Sequence, residues 1–227
     1  MAPVKSGIIP NRPTLSQVTR RFALPLLLFL PTLASCKAKT TMSPDAAKPA
    51  PTPPVPENAA IAVLGGGCFW CIEAAYRQLE GVFSVTSGYM GGHVKDPTYE
   101  QICDKTTGHA EVIQVVFDSQ KISYERLLAW FWDLHDPTSL NRQGADVGPQ
   151  YRSVIFYSSE TQRTTAEASK AAAAANFESP IVTEITPATI FYPAENYHQN
   201  YYFQNKSNNG YCTMVIEPKL KKLKLKH

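Results

Sequence analysis

Several absences narrow this 227-residue chain before any motif is read. No apolar run reaches the roughly 20 residues that a bilayer-crossing helix needs. The longest, within FALPLLLFLPTLASC at residues 22–36, is interrupted by Pro25 and Pro31. No internal repeat is visible, which excludes a solenoid or a propeller. No basic patch lies in the globular part. The formal net charge of +3 is concentrated at the ends: residues 1–35 hold Lys5, Arg12, Arg20 and Arg21 and no acid, and KLKKLKLKH at residues 219–227 holds five lysines. The remainder carries a net −6, so nucleic acid is not an expected partner. Neither a second CxxC nor an HxxxH accompanies the single CxxC. A zinc site would have to recruit Cys103 and His109, at a spacing unlike known zinc motifs; no metal and no bound cofactor are expected.

The N-terminal segment reads as an address. Arg20 and Arg21, a short apolar run and small residues form a secretory signal. The sequence LASC at residues 33–36 resembles a bacterial lipobox, in which cleavage leaves a lipidated cysteine at the new N-terminus. We therefore expect residues 1–35 to be a signal peptide and Cys36 the lipidation site. The chain would then be exported and membrane-anchored, facing the periplasm or the cell exterior. Residues 36–57 form a Pro/Ala-rich linker that cannot bury a core. Eleven of the 18 prolines precede residue 58, which sets the domain boundary there. A domain over 58–218 and a basic tail over 219–227 complete the expected organisation.

Within the domain, helical and strand patterns alternate. AAIAVLGGG reads as a buried strand ending in a glycine turn, and CFWCIEAAYRQLEG as a helix stopped at Gly81. VFSVTSGYMGG and AEVIQVVFDS read as strands. Ser123 caps an amphipathic helix, YERLLAWFWDLH. YRSVIFYS is a strand, ETQRTTAEASKAAAAANF a helix, IVTEITP a strand and AENYHQNYYFQN a short helix. The pattern predicts an α/β or α+β sandwich, with helices packed on a mixed sheet and an irregular C-terminal tail.

The chemistry centres on GGGCFWC at residues 65–71. Cys68 falls where a strand ends and a helix begins, a place that favours negative charge and lowers a thiol pKa. A C-x-x-C there is compatible with a redox pair, and equally with one nucleophile beside a buried neighbour. The residues alone leave that choice open.

Seven blocks occur in order: GGGCFWCIEA, SGYMGG, PTYEQIC, TGHAEVIQVVFD, DPTSLNRQGADVGPQYRSVIFY, FYPAENYHQNYY and NGYC. Together they closely resemble the A-type peptide methionine sulfoxide reductases, from about residue 61 to residue 218. The resemblance implies a two-layer sandwich with a ferredoxin-like core and reduction of methionine S-sulfoxide, free or in proteins. By resemblance, Cys68 is the nucleophile, Glu111 the proton donor and Cys212 the resolving cysteine. Phe69 and Trp70 become walls for the substrate methyl group. Tyr99 and Tyr151 become hydroxyl partners of the sulfoxide oxygen, and Asp146 an acid that shapes the site. Cys71, where many relatives carry glycine, is a second candidate for resolving. The expected cycle forms a Cys68 sulfenic acid and then an intramolecular disulfide. A thioredoxin-like reductant or dithiothreitol opens it by exchange. The expected state is a monomer. The rival reading is a membrane-tethered thiol-disulfide oxidoreductase working through Cys68 and Cys71. His93, His109, His135 and His198 receive no catalytic role.

Overall fold

The computed structural model describes residues 59–225. The expected signal peptide, Cys36 and the linker lie outside the described residues. Strand β1 (Ala59–Gly66) turns Ala62 and Leu64 to one face of the sheet and Val63 to the other. A strand covered on both faces reads as an unbroken apolar run. Helix α1 (Phe69–Tyr76) follows, then β2 (Val82–Met90), a short α2 (Tyr99–Cys103) and β3 (Ala110–Asp118). Next come α3 (Tyr124–Leu134), a two-stranded ribbon of β4 (Arg142–Gln143) and β5 (Asp146–Val147), and β6 (Ser153–Tyr157). Helix α4 (Glu160–Ala173), β7 (Glu184–Pro187), β8 (Tyr192–Pro193) and α5 (Tyr201–Asn205) lead into a π-helical turn, Cys212–Ile216. That turn continues directly into α6 (Glu217–Lys222).

The main sheet runs β7-β6-β1-β3-β2-β8. Its central order β6-β1-β3-β2 is antiparallel throughout and joins two β-α-β units, β1-α1-β2 and β3-α3-β6. This is the ferredoxin-like core. β7 adds parallel to β6 and makes the sheet mixed. The helices cover one face, where Leu64, Ile113, Val115, Phe117 and Ile155 pack with Leu127, Leu128 and Phe131 of α3. The opposite face is a smaller apolar cluster of Val63, Val112, Val154, Phe156, Met90 and Ala110, against which Phe191 packs. Strand alternation puts Glu111 on the helix side with Ile113 and Val115.

Three expectations about local structure are corrected. The first helix is eight residues long and ends at Tyr76 rather than near Gly81. The AENYHQNYYFQN segment is two pieces: a 3₁₀ turn over Asn196–His198 and α5, separated by extended Gln199 and left-handed Asn200 (φ 52°). Tertiary bonds override the local helical pattern. The Gln199 amide accepts from Ser87 N–H at 2.9 Å and donates to the carbonyls of Ser87 and Ala194, both at 2.9 Å. Asn200 N–H donates to the buried Glu73 carboxylate at 2.7 Å. The C-terminal tail is helical rather than irregular, because Ile216 and Leu220 are fully buried in the main core and Leu223 packs against it. Helix α2 was not foreseen, although Thr98 and Gln101 form a full capping box there that the sequence displays.

The buried Leu220 makes a test of this docking. Leu220→Ala should lower the unfolding free energy by about 2–5 kcal/mol, read as a lower urea midpoint. Lys221→Ala, at a side chain 55% exposed, should leave the midpoint in place. An unmoved midpoint for Leu220→Ala would put the segment outside the cooperative fold.

Candidate active site

The site is built where β1 gives way to α1. Adjacent strands approach closely there: a Cβ at Gly65 would meet the Glu111 carbonyl oxygen at 2.8 Å. Gly67 has φ +90°, a backbone conformation open to glycine, and it turns the chain from strand to helix. Cys68 is then the N-cap of α1 but makes no side-chain capping bond. Glu111 supplies the cap: its Oε2 accepts the Phe69 N–H at 3.1 Å. A carboxylate from the neighbouring strand thus satisfies a donor that the helix leaves free.

Glu111 is 2% exposed. Burial pushes its pKa up to about 8, against the pull of the Phe69 N–H, and the negative groups Asp146 and Cys71 add to the rise. A buried carboxyl without a cation holds its proton. At neutral pH Glu111 is therefore mostly a neutral acid beside Cys68.

The two thiols behave oppositely. Cys68 is 7% exposed, and burial raises its pKa well above the ordinary thiol value, with Cys71 and Glu111 adding to the effect. The expectation that the helix tip would lower it is corrected: α1 is short, its first N–H is already taken by Glu111, and desolvation dominates. Cys71, one turn later, is brought down to about 7, chiefly because its thiolate accepts a hydrogen bond from Cys68, with Lys219 and Tyr211 assisting. The pair shares one proton and titrates as a unit.

The C-terminal segment supplies the rest. The Tyr211 hydroxyl donates to Asp146 Oδ2 at 2.8 Å and stands 3.8 Å from Cys71 Sγ. Burial raises the Asp146 pKa. Cys212 opens the π-helical turn and is fully buried. Burial also raises its thiol pKa, with the charge on Cys71 next in importance. Cys68, Cys71 and Cys212 are free thiols.

The aromatic residues divide. Phe69 is buried in the core, with Tyr89 at 5.8 Å and His198 at 5.1 Å between ring centroids. Trp70 is partly exposed; it stacks on Tyr201 at 3.7 Å with planes 6° apart, and its indole N–H donates to His198 Nδ1 at 3.1 Å. Tyr99 starts α2, and its ring lies 4.3 Å from that of His198. Tyr151 ends a 3₁₀ turn, Pro149–Tyr151, and is buried in the main core rather than lying on a strand. His109 is scaffold: its Nδ1 accepts Gly92 N–H at 3.0 Å and its Nε2 meets the Val94 carbonyl at 2.7 Å, which removes it from the zinc reading. Among the described residues no group of three or more His, Cys, Asp and Glu side chains could hold a metal.

Of the residues named from the resemblance, the structure joins Glu111 to the Phe69 N–H and links Asp146 to Cys71 through Tyr211. Sequence reasoning assigned no role to Tyr211 and His198, although both stand inside quoted blocks, NGYC and FYPAENYHQNYY. A thiolate of the Cys68–Cys71 pair should appear with a midpoint near pH 7, followed by ultraviolet absorbance at 240 nm. Cys71→Ser should abolish that step, and its persistence in the variant would contradict the assignment.

Comparisons with known proteins identify the family and the fold. The family model described as peptide methionine sulfoxide reductase matches residues 60–227. The peptide methionine sulfoxide reductase MsrA of Saccharolobus solfataricus is 54% identical over 162 residues, covering 71% of this chain and 91% of the relative. The MsrA of Acinetobacter baumannii (strain AYE) is 55% identical over 162 residues, covering 71% and 92%. Among solved structures, reduced Mxr1 from Saccharomyces cerevisiae superposes with a TM-score of 0.65 at 33% identity, over 68% of this chain and 90% of that one. Methionine sulfoxide reductase A of Corynebacterium diphtheriae gives 0.61 at 32% identity, over 67% and 78%. On these matches, the chain belongs to the peptide methionine sulfoxide reductase family and is an enzyme of that class.

Proposed function

We propose that this enzyme reduces methionine S-sulfoxide, free and in proteins, at Cys68, with Glu111 as proton donor. The observation that carries the reading is the buried, mostly protonated Glu111, held by the N–H of Phe69, the residue that follows Cys68, at 3.1 Å. A sulfoxide is neutral, with an apolar methyl and a strongly polar S–O bond. Trp70 and Phe69 offer the methyl group an apolar wall. Tyr99 and Tyr151 are the hydroxyl partners of the oxygen in this reading. Asp146 acts by fixing Tyr211.

The reaction draws on the form of the thiol pair in which Cys68 is ionised. Its sulfur attacks the sulfoxide sulfur while Glu111 gives its proton to the oxygen. The S–O bond to methionine breaks and the hydroxyl passes to Cys68. Methionine sulfur is reduced by two electrons, and Cys68, oxidised by two, becomes a sulfenic acid. Cys71 then attacks that sulfur, water leaves and a Cys68–Cys71 disulfide forms. Cys71 already shares a hydrogen bond with Cys68, whereas Cys212 is buried in the docked π-helical turn. This reverses the order expected from the sequence: Cys212 follows as the relay, attacking Cys71 and presenting the disulfide to a thioredoxin-like dithiol. The sequence at residues 33–36 supports export and anchoring through Cys36, for which metabolic labelling with a radioactive fatty acid, lost in Cys36→Ser, is the check.

Three measurements test the chemistry. Cys68→Ser should abolish consumption of S-methionine sulfoxide with dithiothreitol, and turnover of the R epimer alone would overturn the reading. The wild-type kcat/KM should decline as pH rises through about 8, because the donor form of Glu111 is present below its pKa and lost above it. Glu111→Gln should remove that limb and lower kcat/KM by about 10²–10⁴-fold. Cys212→Ser should keep one stoichiometric turnover, accumulate the Cys68–Cys71 disulfide in a peptide map and lose recycling by thioredoxin. Cys68–Cys212 appearing first in the wild type would refute the relay.

A further inference from the structure

The chemistry above makes no use of His198, yet the aromatic side of the site is arranged around it. His198 is 1% exposed. Its Nδ1 accepts the Trp70 indole N–H at 3.1 Å. An accepting Nδ1 carries no hydrogen, so the neutral ring bears its hydrogen on Nε2. Burial keeps the imidazole neutral, with its pKa depressed to about 3. Nε2 has no hydrogen-bond partner among the described residues, and Glu195 Oε2 stands 3.8 Å away. Ring centroids of Tyr197, Tyr99, Phe69 and Trp70 lie at 4.1, 4.3, 5.1 and 5.5 Å from that of His198. Glu195 has two further bonds: Oε1 accepts the Tyr99 N–H at 2.9 Å and Oε2 accepts the Tyr89 hydroxyl at 3.0 Å.

We infer that His198, backed by Glu195, is a positioning residue for the sulfoxide pocket: its Nδ1 fixes the Trp70 indole while its ring seats Phe69 and Tyr99. The inference rests on the assignment of those three residues to substrate binding. Its physical basis is the number of constraints on Trp70. Stacking on Tyr201 at 3.7 Å and 6° sets the tilt of the indole plane but leaves it free to slide and turn within that plane. A hydrogen bond at Nε1 removes this freedom. Trp70 is only partly buried, and a further ring neighbour, Tyr211, meets it edge-on at 5.8 Å. Glu195 completes the arrangement by pinning the backbone at Tyr99, the start of the short α2. One residue at the end of the 3₁₀ turn thus aligns a wall for the methyl group and a hydroxyl for the oxygen, two features that together distinguish the sulfoxide faces.

The test compares His198→Phe, which keeps ring volume without an acceptor, with His198→Gln, which keeps an acceptor. The substrate is S-methionine sulfoxide with dithiothreitol. His198→Phe should raise KM about five- to tenfold, as expected for loss of one hydrogen bond, with kcat within about twofold. The Trp70 indole N–H proton resonance, assigned by Trp70→Phe, should move upfield in this variant. His198→Gln should restore most of both. Unchanged KM with an unmoved indole resonance, or equal losses of kcat in the two variants, would overturn the inference. The wild-type ring gives a reading independent of any variant's folding: its ¹⁵N shifts should be pyridine-like at Nδ1 and pyrrole-like at Nε2, and the reverse would also overturn it. Wild type failing to consume sulfoxide would refute the pocket assignment instead, while the nitrogen shifts would still report the His198–Trp70 bond.

Discussion

A carboxyl buried at the tip of a helix is the constraint on which the site depends. Glu111 comes from the middle strand of the sheet, and the Phe69 N–H it accepts belongs to the helix that carries both thiols. That bond ties β3 to the start of α1. It also sets the protonation state, since a single neutral N–H does not offset the loss of hydration around a carboxylate. The acid resolves the imbalance by keeping its proton. The close approach of β1 and β3 at Gly65 belongs to the same arrangement, because a side chain there would meet the Glu111 backbone and push the strands apart.

The second dependence is on the last fifteen described residues. Tyr211 reaches Asp146 and Cys71, Cys212 is buried beside them, and Lys219 lowers the Cys71 pKa from α6. The electrostatics of the thiol pair is therefore partly a property of whether this segment is docked. Its π-helical turn is a rare backbone form that tends to occur at functional sites, and the turn begins at Cys212 itself. Drawing Cys212 into a disulfide would pull on the same turn that places Tyr211 against Cys71. In the proposed cycle, oxidation of Cys212 and loss of the environment around Cys71 are thereby linked through adjacent residues.

Much of this was legible in the chain. Apolar and β-branched runs located the four central strands, and helical spacing located α3. The Ser123 cap was read directly and is observed, accepting from Arg126 N–H at 3.2 Å. What could not be read depends on partners distant in sequence. Gln199 and Asn200 break a plausible helix because they bond Ser87 and Glu73, 112 and 127 positions away. The helical C-terminus was hidden because its lysines suggested a solvated tail, while Leu220 and Leu223, spaced to meet one face, carried the weaker signal. The Cys68 pKa went the wrong way for a related reason: helix position is a local property and favours the thiolate, whereas desolvation comes from the whole surrounding core.

The opposed directions of the titrating groups serve the chemistry. Sulfoxide reduction needs an acid and a thiolate at once, two states that a solvated pair of Glu and Cys would not hold together at neutral pH. Here burial raises Glu111 to about 8, and sharing a proton with Cys68 brings Cys71 down to about 7. Between those values the site contains one carboxyl proton and one sulfur anion side by side. Were Cys68 alone, its burial and the neighbouring Glu111 would keep it protonated. In the proposed reaction the charge rests on Cys71 and passes to Cys68 across their hydrogen bond when substrate arrives. In that reaction Cys71 is then more than a disulfide partner, because it supplies the ionised form from which Cys68 reacts.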